Sequence, residues 1–78
     1  MREFEIRIRS VRDVLTFVNL ATSRSFDVVV GNEFHRVNGK SFMEMFSLNL
    51  RRPVTVSLQC TQEEYDAFLQ DAEPYLDK

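Results

Sequence analysis

Any reaction chemistry in these 78 residues must come from a short roster of nucleophiles, bases and metal ligands. His35 and Cys60 fall on different predicted strands, and no CxxC or HxxxH spacing brings them together, so the converging donors of a metal site are missing. A nucleophilic serine or cysteine needs a base within hydrogen-bond reach. His35 is the one histidine, and it lies in a predicted hairpin strand as a solvated surface residue. Cys60 takes the inward register of its strand and reads as a small core residue rather than a reactive thiol. Two glycines supply no phosphate-cradling loop. The sequence therefore assigns no catalytic residue, no metal and no cofactor.

The more informative residues are serines set before apolar runs. Ser10 stands at the start of a helical pattern as its N-cap, and Ser41 with Glu44 has the spacing of a capping box, as has Thr61 with Glu64. After Ser41 come Phe42, Met43, Met45 and Phe46, four large apolar side chains on about two turns of helix. So short a helix cannot bury all four on one face. Met45, with Phe46, suits the core, whereas an exposed patch of Phe and Met suits a protein partner.

The elements that carry these residues follow from periodicity. Phe4, Ile6 and Ile8 alternate with Glu5, Arg7 and Arg9, as in a strand with one wet face. Val11, Val14, Leu15, Val18 and Ala21 then form the stripe of a helix. A strand is expected from Phe26 to Val30, a turn at Gly31-Asn32, and a second strand from Phe34 to Val37, the two pairing as a hairpin. Asn38-Gly39 turns the chain into a short helix from Ser41 to Leu48. Past Arg51-Arg52-Pro53, the residues Val54, Val56, Leu58 and Cys60 alternate with polar ones as a strand partner for the first. Tyr65, Phe68, Leu69, Ala72 and Leu76 mark the stripe of a closing helix. The order βαββαβα packs as an α+β open-faced sandwich, a four-stranded antiparallel sheet with three helices on one face, in a single domain spanning 1–78.

Composition narrows the function. With 44% apolar and 28% charged residues the chain folds into one compact core, and it is too small to devote much of that core to a closed active site. A net charge of −2 argues against direct nucleic-acid binding. Charge is segregated: nine Lys/Arg face six Asp/Glu through Arg52, and Lys78 faces six acids beyond it. Arg7, Arg9, Arg51 and Arg52 read as solvated surface charge. An RNA-binding sheet would need an aromatic and basic run that is missing, and an acylphosphatase-type cradle would need a glycine near Ser10-Val11-Arg12-Asp13. A lone cysteine and the lack of an apolar leader or membrane span fit a reducing cytoplasm.

The stretch Val37 to Leu48, V-N-x-K-S-x-M-x-x-x-S-L, together with the element order, resembles HPr, the small phosphocarrier of the bacterial sugar phosphotransferase system, and its regulatory relatives. Asp27-Val28 and Ala21 also fall where HPr-type sequences carry similar residues; the stretch after the first strand is shorter than in the family. In HPr the first helix opens with a phosphate-accepting histidine, a small residue, Arg and Pro. Here Ser10 takes the histidine's position, Arg12 matches the arginine, and Asp13 puts a negative charge where an incoming phosphate is repelled. The resemblance thus implies loss of phosphocarrier chemistry. A second HPr site is the serine that an ATP-dependent kinase phosphorylates in Gram-positive bacteria, whose apolar neighbours dock the kinase, enzyme I and a LacI-type repressor. Ser41 matches that serine, with Lys40 before it and Phe42, Met43 and Phe46 at the docking positions. Capping is in itself a sufficient reason for a serine there, and Glu44 replaces a small residue of the family. The expected protein is a non-catalytic, cytoplasmic regulator or adaptor that binds partners through Arg12, Lys40, Ser41, Phe42, Met43 and Phe46. A residual phosphoryl carrier using Ser10 or Ser41, or a structural domain that closes a homodimer, are the alternatives.

Overall fold

A computed structural model describes residues 2–77; Met1 and Lys78 of the expected 1–78 domain lie outside them. The elements are β1 (Arg2–Ile6), α1 (Val11–Thr22), β2 (Val28–Gly31), β3 (Arg36–Asn38), α2 (Phe42–Met45), β4 (Val54–Leu58), α3 (Gln62–Asp71) and a 3-10 turn, Glu73–Tyr75. The strands form an antiparallel sheet in the order β1-β4-β2-β3, so β4 pairs with β1 and β2 with β3, as the alternation predicts. Ile6, Val28, Val30, Val37, Val54, Val56 and Leu58 point from the sheet into a core closed by Val14, Phe17, Val18, Ala21, Met45 and Phe68. The other face is wet: Glu3 and Glu5 of β1 are exposed, and Glu3 accepts a 2.8 Å hydrogen bond from the Ser57 hydroxyl, its register partner on β4.

Phe68 is the hub of the helical layer. Its ring lies 6.0 Å from Phe4, 6.1 Å from Phe17 and 6.1 Å from Phe26, and the Arg24 guanidinium sits 5.6 Å above it. Edge-on and tilted aromatic contacts of this kind add to area burial, so truncating Phe68 to Ala costs about 3–5 kcal/mol.

This packing rotates α1 from its expected orientation. Phe17, outside the predicted stripe, is wholly buried against Phe68 and Tyr75, while Val11 and Leu15, inside the stripe, remain exposed. An aromatic side chain offers more area to bury than Val or Leu, and the helix turns to bury it.

Five boundaries also differ from expectation. Phe26 precedes β2 and packs on the core instead of pairing. Phe34 and His35 lie in the hairpin turn rather than in β3, because both their N–H groups donate to the Asn32 side-chain oxygen, at 2.9 and 3.0 Å. α2 stops at Met45, since the N–H groups of Ser47 and Leu48 reach back only three residues, to Glu44 and Met45. α3 stops at Asp71, and Pro74, which has no N–H to give, lies in the 3-10 turn Glu73–Tyr75 that lays Leu76 beside Ile6. β4 ends at Leu58, leaving Cys60 beyond the strand and half-buried rather than in the core.

Gly39 is required for space. A Cβ there would come within 2.7 Å of Val28 Cγ1 and 3.1 Å of Val30 Cγ2, and its N–H donates to the Val28 carbonyl at 2.8 Å. This close approach seats the Ser41 turn against β2.

Candidate functional site

Two helix starts carry the serines singled out above. Ser10 caps α1: its Oγ accepts the Asp13 N–H at 3.1 Å, and the Asp13 carboxylate accepts the Arg9 N–H at 2.9 Å. A carboxylate thus already takes a free backbone donor ahead of the helix. Arg12 is exposed in the first turn of α1.

Ser41 caps α2, its Oγ accepting the Glu44 N–H at 3.3 Å. The return half of the expected capping box is not made: Glu44 Oε1 accepts the Asn38 N–H at 3.2 Å, whereas the Ser41 N–H donates to the Asn38 carbonyl at 3.1 Å. At Thr61 both halves are present. Lys40 is half-buried, and its ammonium donates to the Arg24 carbonyl at 2.8 Å, tying the turn before α2 to the chain just after α1. That contact gives Lys40 a structural role besides the partner contact expected of it.

The apolar residues after Ser41 divide as a short helix requires. Met45 is fully buried, while Phe42, Met43 and Phe46 keep 38%, 83% and 48% of their surface exposed. Ser10 and Phe46 line one open groove of about 650 Å³ between the start of α1 and the loop after α2. Arg9, Val11 and Arg51 line it too, with Val11 62% exposed. Of the residues that the sequence marked around Ser41, only Phe46 reaches this groove with Ser10; Ser41, Phe42 and Met43 do not line it. Arg12 and Lys40 are not among its lining residues.

From sequence, Val11 reads as part of a core stripe and Arg9 and Arg51 as solvated surface charge, not as groove residues. Val11 fits a core stripe, and nothing in periodicity tells that Phe17 displaces it. The arginines converge only through the loop from Leu48 to Pro53, which no local pattern orients.

Chemically the groove offers guanidinium groups, backbone and hydroxyl donors and apolar side chains, and no imidazole lines it. His35 sits on the hairpin turn, its Nε2 3.2 Å from Ser47 Oγ. Burial, with the Glu64 carboxylate adding to it, pushes the Cys60 thiol up from its ordinary value. Among the described residues no three His, Cys, Asp or Glu converge as a metal would need, and no helix is long and apolar enough to cross a membrane.

Comparison with known proteins points the same way as the geometry. Residues 10–78 match the family model described as the PTS HPr component phosphorylation site. No curated protein matches the sequence significantly. Among solved structures, HPr-C-His from Thermoanaerobacter tengcongensis is 29% identical, with a TM-score of 0.75 over 92% of this chain and 90% of that one. Phosphocarrier protein HPr from Bacillus anthracis str. Ames is 18% identical and shares the fold, with a TM-score of 0.71 over 97% and 94%. Crh, the catabolite repression protein of Bacillus subtilis, is 26% identical, with a TM-score of 0.59 over 85% and 84%, and its structure is that of a domain-swapped, intertwined dimer. With its strand order, its serine-capped helices and a family match running from Ser10 to the last residue, this chain belongs to the PTS HPr family.

Proposed function

We propose that this protein is a non-catalytic regulator or adaptor related to the phosphotransferase system, which docks partner proteins through the surface around α2 and is switched by phosphorylation of Ser41. The observation that supports this reading is the exposure of Phe42, Met43 and Phe46 around a serine cap, with Phe46 bordering the groove at the start of α1. Ser10, in the position that the resemblance gives to the phosphate-accepting histidine, has no imidazole, and Asp13 adds a carboxylate beside it. A phosphoserine ester passes its phosphate onward far less readily than a phosphoimidazole, which disfavours a carrier role. On Ser41 the modification adds about two negative charges beside the apolar patch, for a partner's Arg or Lys to pair with. The partners implied are an HPr kinase-like enzyme, an enzyme I-like protein or a LacI-type repressor, in a bacterial cytoplasm.

The test is to incubate the protein with ATP and HPr kinase, and separately with phosphoenolpyruvate and enzyme I, following intact mass. Kinase-dependent phosphate that disappears in Ser41→Ala supports the switch. Phosphate arriving from enzyme I would overturn the reading of Ser10 and Asp13.

A second reading, a homodimer, is favoured by the Crh structure. Sedimentation velocity across a concentration series decides it.

A further inference from the structure

β1 is an edge of the sheet, with β4 on one side of it. Its other side is closed by the chain's own tail. The Arg7 N–H donates to the Tyr75 carbonyl at 2.7 Å and the Asp77 N–H to the Glu5 carbonyl at 3.2 Å, which sets Leu76 opposite Ile6 in antiparallel register. Side chains reinforce the contact: Asp77 pairs with Arg7 at 3.4 Å, and the Tyr75 ring stands edge-on to Phe17 at 5.9 Å. Residues 75–77 thus form a strap over main-chain groups of a kind that readily pair with another chain.

Beneath the strap lies a sequence that complements itself. From β1 into the three residues after it, Glu3 to Arg9 reads Glu-Phe-Glu-Ile-Arg-Ile-Arg, with Ile6 at the centre. When a second copy runs antiparallel with Ile6 opposite Ile6, Glu5 of each faces Arg7 of the other, Glu3 faces Arg9, and Phe4 faces Ile8. Opposite charges in facing positions stabilise a strand pair. Sliding one strand by two residues sets Glu5 against Glu5 or Arg7 against Arg7, and sliding by one sends every side chain to the wrong face. The main chain agrees with this register. The groups that such a pairing engages, the Glu5 carbonyl and the Arg7 N–H, are the two that the strap now holds. Asp77 likewise stands where Glu5 of a second copy would, against Arg7. The Tyr65 hydroxyl on the Glu3 carbonyl at 3.1 Å and the Asp13 carboxylate on the Arg9 N–H at 2.9 Å confine the exchange to Glu5, Ile6 and Arg7.

We infer that β1 is a dimerisation edge centred on Ile6, and that the strap of residues 75–77 is the switch that closes it. Its occupant is a second copy of this chain, joined by a two-fold contact in which both copies use the same residues. The inference rests on the homodimer reading above and gives that dimer its interface. A strap in the same chain competes at high effective concentration, so the covered monomer prevails until the strap is loosened. Two copies must each release a strap, so any loosening counts twice.

The test is Asp77→Pro in the full-length chain, which removes the Asp77 N–H and its carboxylate together. Leu76, at φ −59° and ψ 135°, already has a backbone that a following proline accepts. Circular dichroism first shows each variant folded; should Asp77→Pro fail, Asp77→Lys, which repels Arg7, takes its place with the same expectation. In sedimentation velocity across a concentration series, the loosened variant is expected to show a dimer dissociation constant about tenfold or more below the parent's. In that background Arg7 has no strap partner, so Arg7→Glu is expected to abolish the dimer, and Glu5→Arg added to it to restore the dimer by exchanging the two charges. Equal, measurable dimerisation of the parent and the loosened variant overturns the switch. A dimer indifferent to Arg7→Glu overturns the interface and leaves the homodimer reading standing. No dimer in either chain at any concentration overturns both.

Discussion

Lys40 Nζ donates to the Arg24 carbonyl over 2.8 Å, so the cation next to Ser41 also ties the turn before α2 to the end of α1. It satisfies a carbonyl just past the end of α1, where a positive charge also complements the helix dipole. Lys40→Met keeps the aliphatic stem and removes the donor. We expect it to lower unfolding stability by about 1 kcal/mol in urea titration, with the rate of kinase-dependent phosphorylation at Ser41 unchanged. Unchanged stability with slower phosphorylation would instead place Lys40 in the partner contact.

Asp13 decides whether the start of α1 can be returned to phosphocarrier chemistry. Its carboxylate accepts the Arg9 N–H at 2.9 Å, and its N–H donates to Ser10 Oγ at 3.1 Å, so its negative charge stands beside the Ser10 position. Ser10→His alone should therefore take little phosphate from phosphoenolpyruvate and enzyme I, while Ser10→His with Asp13→Asn should take it measurably faster. Removing the Ser10 cap costs about 1 kcal/mol, which a thermal melt registers in both variants. Equal labelling of the two would show that the carboxylate is not the obstacle.

Met43 and Met45 lie two residues apart and serve opposite ends. Met45 is buried against the sheet, so Met45→Ala is expected to cost about 2–5 kcal/mol. Met43 projects into solvent, so Met43→Ala should change stability by less than about 0.5 kcal/mol. If Met43 belongs to the docking patch, that variant loses affinity for its partner at unchanged stability; a large drop in melting temperature would instead put Met43 in the core.

What could be read from residues alone follows how local each cause is. The strand partnership of β1 and β4 was legible, because Ile6, Val54 and Val56 alternate with polar neighbours and one-sided burial enforces the register. Ser10, Ser41 and Thr61 were legible as caps, since a cap is a contact across three residues. The rotation of α1 was not, because Phe17 is drawn inward by Phe68 and Tyr75, far along the chain. Nor was the second half of the Ser41 box, where Glu44 finds the Asn38 N–H brought close by the turn at Gly39. The candidate site was legible as two separate serines; that Ser10 and Phe46 border one groove depends on a loop whose path only tertiary packing defines.

Cys60 should be a slow nucleophile. Burial disfavours its thiolate, and Glu64 at the start of α3 adds like-charge repulsion, so the thiol titrates above its ordinary value near 9.0, with Arg2 opposing only in part. At pH 8 its alkylation by iodoacetamide is expected to be several-fold slower than that of a short cysteine peptide, and to reach the peptide's rate once the chain is unfolded in urea. The same shift links stability to alkaline pH. The folded state holds the thiol proton more tightly than the unfolded one, so the stability it contributes is intact below the unfolded value and declines as pH rises through the folded one. Cys60→Ser removes this titration. The variant should therefore lose less stability than the parent between pH 8 and pH 11; parallel pH profiles for the two would mean that the thiol is as solvated folded as unfolded.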